Sequence, residues 1–131
     1  MIISSILSVI LLALSVLHVM WGVGYFFPIE DEAQLARAVA GFRDAEEMPG
    51  AVPCALVAVA LFMAVSCLWW PVGAFRFLAL AIFGVVFVAR GAAAYAPFWR
   101  KITPMEPFAT LDRKFYGPLC LAIGLGFWIS I

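Results

Sequence analysis

The side chains able to do chemistry are few: one histidine, three cysteines, eight Lys or Arg and eight Asp or Glu in 131 residues. Several of them fall inside or against long apolar runs, where an ionisable group is costly and is therefore a functional candidate by default. His18 is one; its imidazole could bind a ligand or handle protons. Arg90 is another, either snorkelling to headgroups or serving inside a helix bundle. Asp112, Tyr116 and Cys120 recur every four positions and so share one helix face. Asp112 reads as a helix N-cap or as counter-ion to Arg90, and Tyr116 offers a hydroxyl to either His18 or Arg90.

Catalysis by His18 requires an acid or base within hydrogen-bond reach, and Asp112 and Tyr116 are the partners available. No recognisable dyad motif joins them. Cys54, Cys67 and Cys120 form no CxxC pair and no metal-ligand spacing. Cys54 and Cys67 lie on one expected helix, separated by about 20 Å of rise, beyond the roughly 7 Å reach of a disulfide. They read as structural. A single histidine without a second histidine or a thiolate at coordination spacing is weak support for a metal. No metal, cofactor or catalytic residue is assigned.

The elements that must hold these residues follow from composition. The chain is 66% apolar and 12% charged, with a mean hydropathy of +1.10, against roughly 45–50% and 25% in soluble domains. A globule this small cannot hide so much apolar surface, so the excess must face lipid. That excludes a soluble enzyme, a disordered chain and a disulfide-stapled secreted domain. The balanced charge leaves no footprint for nucleic acid. At about 20 residues per span, the pattern predicts an all-α bundle of four transmembrane helices forming a single domain over 1–131. The helices fall at about 2–27, 52–70, 74–95 and 113–131. Pro28 stops the first, Pro53 opens the second, Pro97 ends the third, and Asp112 caps the fourth, with Pro118 near its start. None is visibly interrupted, which argues against a broken-helix transporter.

Between the first two helices lies a polar stretch with six acids and two arginines. Leu35, Val39 and Phe42 recur there at the spacing of a short amphipathic helix lying at the membrane interface. A proline-bearing loop before the last helix carries Phe98 and Trp99 and should hug the same interface. On the first helix, Ser4, Ser8, Leu11, Ser15, His18, Gly22 and Tyr25 form a stripe of mostly small or polar residues, which must face protein. Leu7, Ile10 and Leu14 are then expected toward lipid or at lipid-exposed edges. Gly84 with Gly91, and Gly117 with Gly124, read as close-packing seams. Arg37, Arg43, Arg100, Lys101, Arg113 and Lys114 all fall in or beside the two long connections. That places both connections in the cytoplasm and both chain ends outside. His18, Arg90, Asp112, Tyr116, Cys120 and Cys54 then share a polar pocket in the cytoplasmic half, while the outer half keeps serines, Cys67 and Arg76.

The stretch from Phe108 to Leu121, F-A-T-L-D-R-K-F-Y-G-P-L-C-L, resembles the F-x-x-L-D-x-x-x-Y-x-P-L-C-L signature of a bacterial family, domain of unknown function 3995. Gly117 before the proline is a mild departure. His18-Val19-Met20-Trp21 is similar to the family's first-helix L-H-x-x-W motif, Pro53 opens a second helix as in the family, and Arg90-Gly91 matches its R-G pair. The resemblance spans the chain and adds Trp21 to the pocket residues. It implies four membrane helices in a bacterial inner membrane and supplies no activity. The expected function is a non-enzymatic small-ligand or lipid-binding module, or an accessory subunit of a larger membrane complex. The alternative is a membrane enzyme acting on a lipid-like substrate, with His18 and Asp112 or Tyr116 as acid and base. The bilayer is the expected partner, with room for a homo-oligomer and for a bound lipid or small molecule.

Overall fold

The computed structural model describes residues Met1–Ile131, all of it helix, turn or loop with no strand. Three helices are long and apolar enough to cross a membrane: α1 (Ile2–Gly22), α3 (Ala51–Leu68) and α4 (Ala74–Ala93). Two short helices, α2 (Glu32–Val39) and α5 (Pro97–Ile102), sit in the long connections. The last helical stretch is continuous but changes register, from α6 (Phe108–Leu111) through a π-helical turn (Asp112–Tyr116) to α7 (Gly117–Ile129). Local chemistry accounts for most boundaries. Pro53 lies in the first turn of α3, where its missing N–H costs nothing. Asp31 caps α2 by accepting the Gln34 amide at 3.0 Å. Pro118 can neither donate to residue 114 nor tolerate its carbonyl in α register. The chain widens immediately before it, and the Gly117 amide donates to the Asp112 carbonyl instead.

Two expected boundaries are corrected. The first helix ends at Gly22, not at Phe27. The Trp21 indole donates to the Phe27 carbonyl at 2.7 Å, and Gly24 takes a positive φ of 87°, which glycine adopts without strain. The apolar residues beyond Gly22 therefore fold back, and Phe26 and Ile29 pack on α2. The last helix begins at Phe108, so Asp112 is no N-cap. It lies mid-helix with φ −62° and ψ −43°, whereas an N-cap residue needs extended backbone. That helix is also not uninterrupted, since the π turn lies within it. The proline-bearing loop contains α5, opened by Pro97 at its first position.

α1 pairs with α3 and α4 with α7, and the two pairs meet along α3–α4 and α1–α7. Neighbours alternate in direction: Ser15 donates to the Ala58 carbonyl at 2.9 Å, and the Trp69 indole to Ser8 at 2.9 Å. The core joins Leu7, Leu11, Leu61, Leu80, Ile123 and Phe127, flanked by Phe83 and Phe87. As expected, Ser4, Ser8, Leu11 and Ser15 are buried. Tyr25 is not: past the helix end it is 61% exposed. Leu7, expected toward lipid, is 4% exposed, and Ile10 and Leu14 pack against the core. α1 touches both α3 and α7, so its covered arc is wider than the small-residue stripe, and Leu7 fills the space over Gly126. The outward residues of the long helices, among them Ile6, Val9, Phe62, Phe77 and Val85, are exposed and apolar. Such a surface suits lipid, not water.

Candidate functional site

The fully buried carboxylate of Asp112 is the electrostatic centre of the loop-rich end. Oδ1 accepts from Arg90 Nη2 at 2.8 Å; Oδ2 accepts from Arg100 Nη2 at 2.8 Å and from the Trp99 indole at 2.9 Å. Arg100 also donates to the carbonyls of Ala94 and Thr103, each at 3.1 Å. The Arg90 guanidinium lies 5.1 Å from the Trp99 ring centroid and that of Arg100 lies 5.8 Å from Phe108, both within cation–π range. Three elements converge: α4 supplies Arg90, α5 supplies Trp99 and Arg100, and the π turn supplies Asp112. Two guanidinium groups around one carboxylate leave the cluster at +1, and Arg90 Nη1 and Arg100 Nε are buried without acceptors. The expected Arg90–Asp112 pair is present. Trp99 and Arg100 were legible only as an interfacial aromatic and a loop cation. The one pointer in the sequence was Pro97 placed to start a short helix, whose six residues include both.

Tyr116 reaches neither Arg90 nor His18. Its hydroxyl donates to the Ala38 carbonyl at 3.0 Å, and its ring lies 5.8 Å from that of Phe108. The π turn is thereby fastened to α2. The turn after α2 is held from the same side, because the Met105 amide donates to the Gly41 carbonyl at 3.2 Å. A side chain at Gly41 would collide with Phe108. Tyr116→Phe should therefore cost about 1 kcal/mol, the worth of one hydrogen bond. Hydrogen exchange should rise in residues 35–48 and stay unchanged in α4; unchanged exchange in 35–48 would show that the hydroxyl does not hold α2.

His18 occupies a separate niche, four residues before the end of α1 and so only about 6 Å from it. Its Nδ1 lies 2.7 Å from the Leu14 carbonyl. A carbonyl only accepts, so Nδ1 carries the proton, and in the neutral ring Nε2 is the nitrogen with the free lone pair. The Trp21 ring leans against the imidazole, 4.9 Å between centroids. A small, partly open cavity of about 110 Å³ lies beside them, lined also by Met48, Pro53 and Cys54 and by Val39 and Ala40 at the end of α2. The sequence-expected residues thus divide in two: Arg90, Asp112 and Tyr116 on one side of α2, His18, Trp21 and Cys54 on the other. Cys120 makes no hydrogen bond, and all three cysteines are free thiols. No group of three or more His, Cys, Asp or Glu side chains comes together.

At the opposite end a wider, open cavity of about 660 Å³ contains Ser4, Trp69, Trp70 and Arg76. Arg76 donates to the Ser130 carbonyl at 2.8 Å and the Leu68 carbonyl at 3.4 Å. It thereby sits against the C-terminal ends of two helices, whose dipoles favour a cation, and its position has a structural explanation.

The sequence matches no curated protein and no solved structure. One family model, described as a protein of unknown function (DUF3995), matches residues 11–127, a stretch holding every residue of both niches. The chain belongs to the DUF3995 family.

Proposed function

We propose that this DUF3995 member is a four-span protein of the bacterial cell membrane that binds a small ligand, without catalysis, at its loop-rich, cytoplasmic end. The observation that carries the reading is the unpartnered Nε2 of His18 beside a small, partly open cavity. The cover of that cavity, α2, is fastened from behind by Tyr116. A volume of about 110 Å³ is well below the roughly 300–1,000 Å³ of organic-ligand pockets, so the occupant is smaller than a lipid headgroup. An acid–base enzyme finds less support. The Asp112 oxygens already accept three donors, the Tyr116 hydroxyl is spent on Ala38, and neither residue contacts His18.

The fourth span is the continuous stretch from Phe108 to Ile129. At 1.5 Å per residue it extends about 33 Å, and its charges, Asp112, Arg113 and Lys114, all lie near its start. The basic residues of both connections favour the cytoplasmic placement. Reporter fusions at Gly50 and Gly73 should report inside and outside respectively; an external Gly50 would overturn the orientation. Native mass spectrometry of the purified protein should find a small adduct that disappears in His18→Leu, a change that makes α1 more apolar and leaves insertion intact. A wild-type mass equal to the bare chain, with His18→Leu equally stable, would remove the binding reading.

A further inference from the structure

The cavity beside His18 offers donors of a single chemical character. Its lining residues include His18, whose Nε2 keeps a free lone pair, and the two sulfur-bearing residues Cys54 and Met48. Cys54 and Met48 are 4% and 8% exposed, and the Cys54 thiol makes no hydrogen bond. Gly22, one turn beyond His18 on the same face of α1, lets the start of α3 come close: a Cβ there would stand 3.3 Å from the Cβ of Cys54. The bond from Nδ1 to the Leu14 carbonyl is the arrangement that orients a metal-ligating imidazole and fixes its tautomer. No carboxylate lines the cavity, which leaves nothing suited to a hard cation such as Mg²⁺ or Ca²⁺.

We propose that this cavity is a binding site for one Cu(I) ion, ligated by Nε2 of His18, Sγ of Cys54 and Sδ of Met48. The assignment rests on the cavity being the ligand site. One imidazole and two sulfur donors are a soft set, which suits Cu(I) or Zn²⁺. Charge decides between a monovalent and a divalent ion. On binding, Cys54 gives its proton to solvent and its thiolate sulfur bonds the metal; copper enters and stays as Cu(I), so no electron moves. Cation and thiolate then cancel, and the site is neutral among apolar walls. A divalent ion would leave a net positive charge there, which is costly to bury. Size agrees: about 110 Å³ accommodates an ion and little more than a few waters, at roughly 30 Å³ each. The Trp21 face, held by the indole bond to Phe27, adds a cation–π wall. The site was hidden from spacing because the three ligands come from α1, the turn before α3, and α3 itself.

The test is anaerobic competition between the detergent-purified full chain and bicinchoninate for Cu(I), followed by loss of the bicinchoninate colour and by tryptophan fluorescence. Wild-type protein should withdraw one copper per chain and show quenching that is reduced in Trp21→Phe. Cys54→Ala should weaken binding at least about a hundredfold, because outer-shell changes alone cost about 10–100-fold. Met48→Leu keeps the volume and the fold and should weaken binding measurably. Cys120→Ala should match wild type. Unchanged affinity in both Cys54→Ala and Met48→Leu, or no copper taken by wild type, overturns the assignment. If copper fails while native mass spectrometry still shows a His18-dependent adduct, the cavity remains a ligand site and only the copper assignment falls. If both fail, both fall.

Discussion

Replacing Asp112 with alanine should be the most damaging single change in the charge cluster. The carboxylate is fully buried and accepts from Arg90, Arg100 and Trp99. Removing it leaves two guanidinium groups facing each other across a void, and breaking a buried pair from one side costs about 3–5 kcal/mol. Asp112→Asn should be nearly as harmful, since its NH₂ would face a donor whichever way the amide turns. Arg90→Ala and Arg100→Ala should each cost less than Asp112→Ala, because Asp112 keeps one arginine and Trp99 in either case. Arg90 should be the milder of the two, since its side chain is 33% exposed against 15% for Arg100 and already shares its charge with water. The double change Arg90→Leu with Asp112→Leu should recover only part of the loss, because Arg100 remains unpaired. Adding Arg100→Leu should recover more, as replacing a whole buried ionic group by apolar side chains can be nearly neutral. Thermal unfolding in detergent of the single, double and triple variants gives the ordering. Asp112→Ala within about 1 kcal/mol of wild type would mean that the cluster is solvated in practice and does not hold α4, α5 and the π turn together.

The Arg90–Asp112 pair could be anticipated because both are charges at the same level of an otherwise apolar sequence, where lone ions are expensive. The buried serine stripe of α1 was legible for a similar reason: small residues at helical spacing must meet another backbone. Position in the sequence does not reveal which neighbour is met. Leu7 was misplaced because α1 is covered by α7 as well as α3, a consequence of how the helix pairs assemble. The end of α1 was misplaced because Val23 to Phe27 stay apolar; the stop comes from Gly24 and from Trp21 bonding to Phe27. The greatest misreading concerned residues 28–50. Their amphipathic pattern is real, and Leu35 and Ala36 are fully buried. Phe42 falls beyond the helix end and is exposed, but the face of Leu35, Ala36 and Val39 is covered by Trp21, Phe26, Ile29 and Met48 and so is occupied by this chain's own residues. Folding that segment inward is what parts His18 from Asp112 and Tyr116 and turns one expected polar pocket into two niches. Helix periodicity carries no record of such a docking, because α2 would show the same stripe against lipid or against protein.

Gly91→Ala and Gly124→Ala should each destabilise the protein, and the sign alone makes the measurement informative. In a helix interior alanine is ordinarily favoured over glycine by about 1 kcal/mol, so a neutral site would show a gain. Here α4 and α7 approach backbone to backbone. A Cβ on Gly124 would lie 2.8 Å from the Gly84 carbonyl oxygen and 2.9 Å from the Val88 nitrogen. One on Gly91 would lie 2.8 Å from the Gly117 oxygen and from the Leu121 nitrogen. Backbone cannot step aside as a side chain can, so the helices must separate, and overpacking of this kind costs about 1–3 kcal/mol. Lipid-facing helices depend on such close approach because burial between helices removes little apolar surface from water. Gly73→Ala is the matched control: its backbone is extended and a Cβ there meets nothing, so it should be near neutral. Gly91→Ala carries a second consequence that Gly124→Ala does not. It lies next to Arg90, so pushing α4 outward at this level lengthens the 2.8 Å contact with Asp112. The Arg90–Asp112 coupling measured by a double-mutant cycle should therefore shrink in the Gly91→Ala background and persist in Gly124→Ala. Equal coupling in both backgrounds would separate the seam from the charge cluster and leave helix packing as the only work these glycines do.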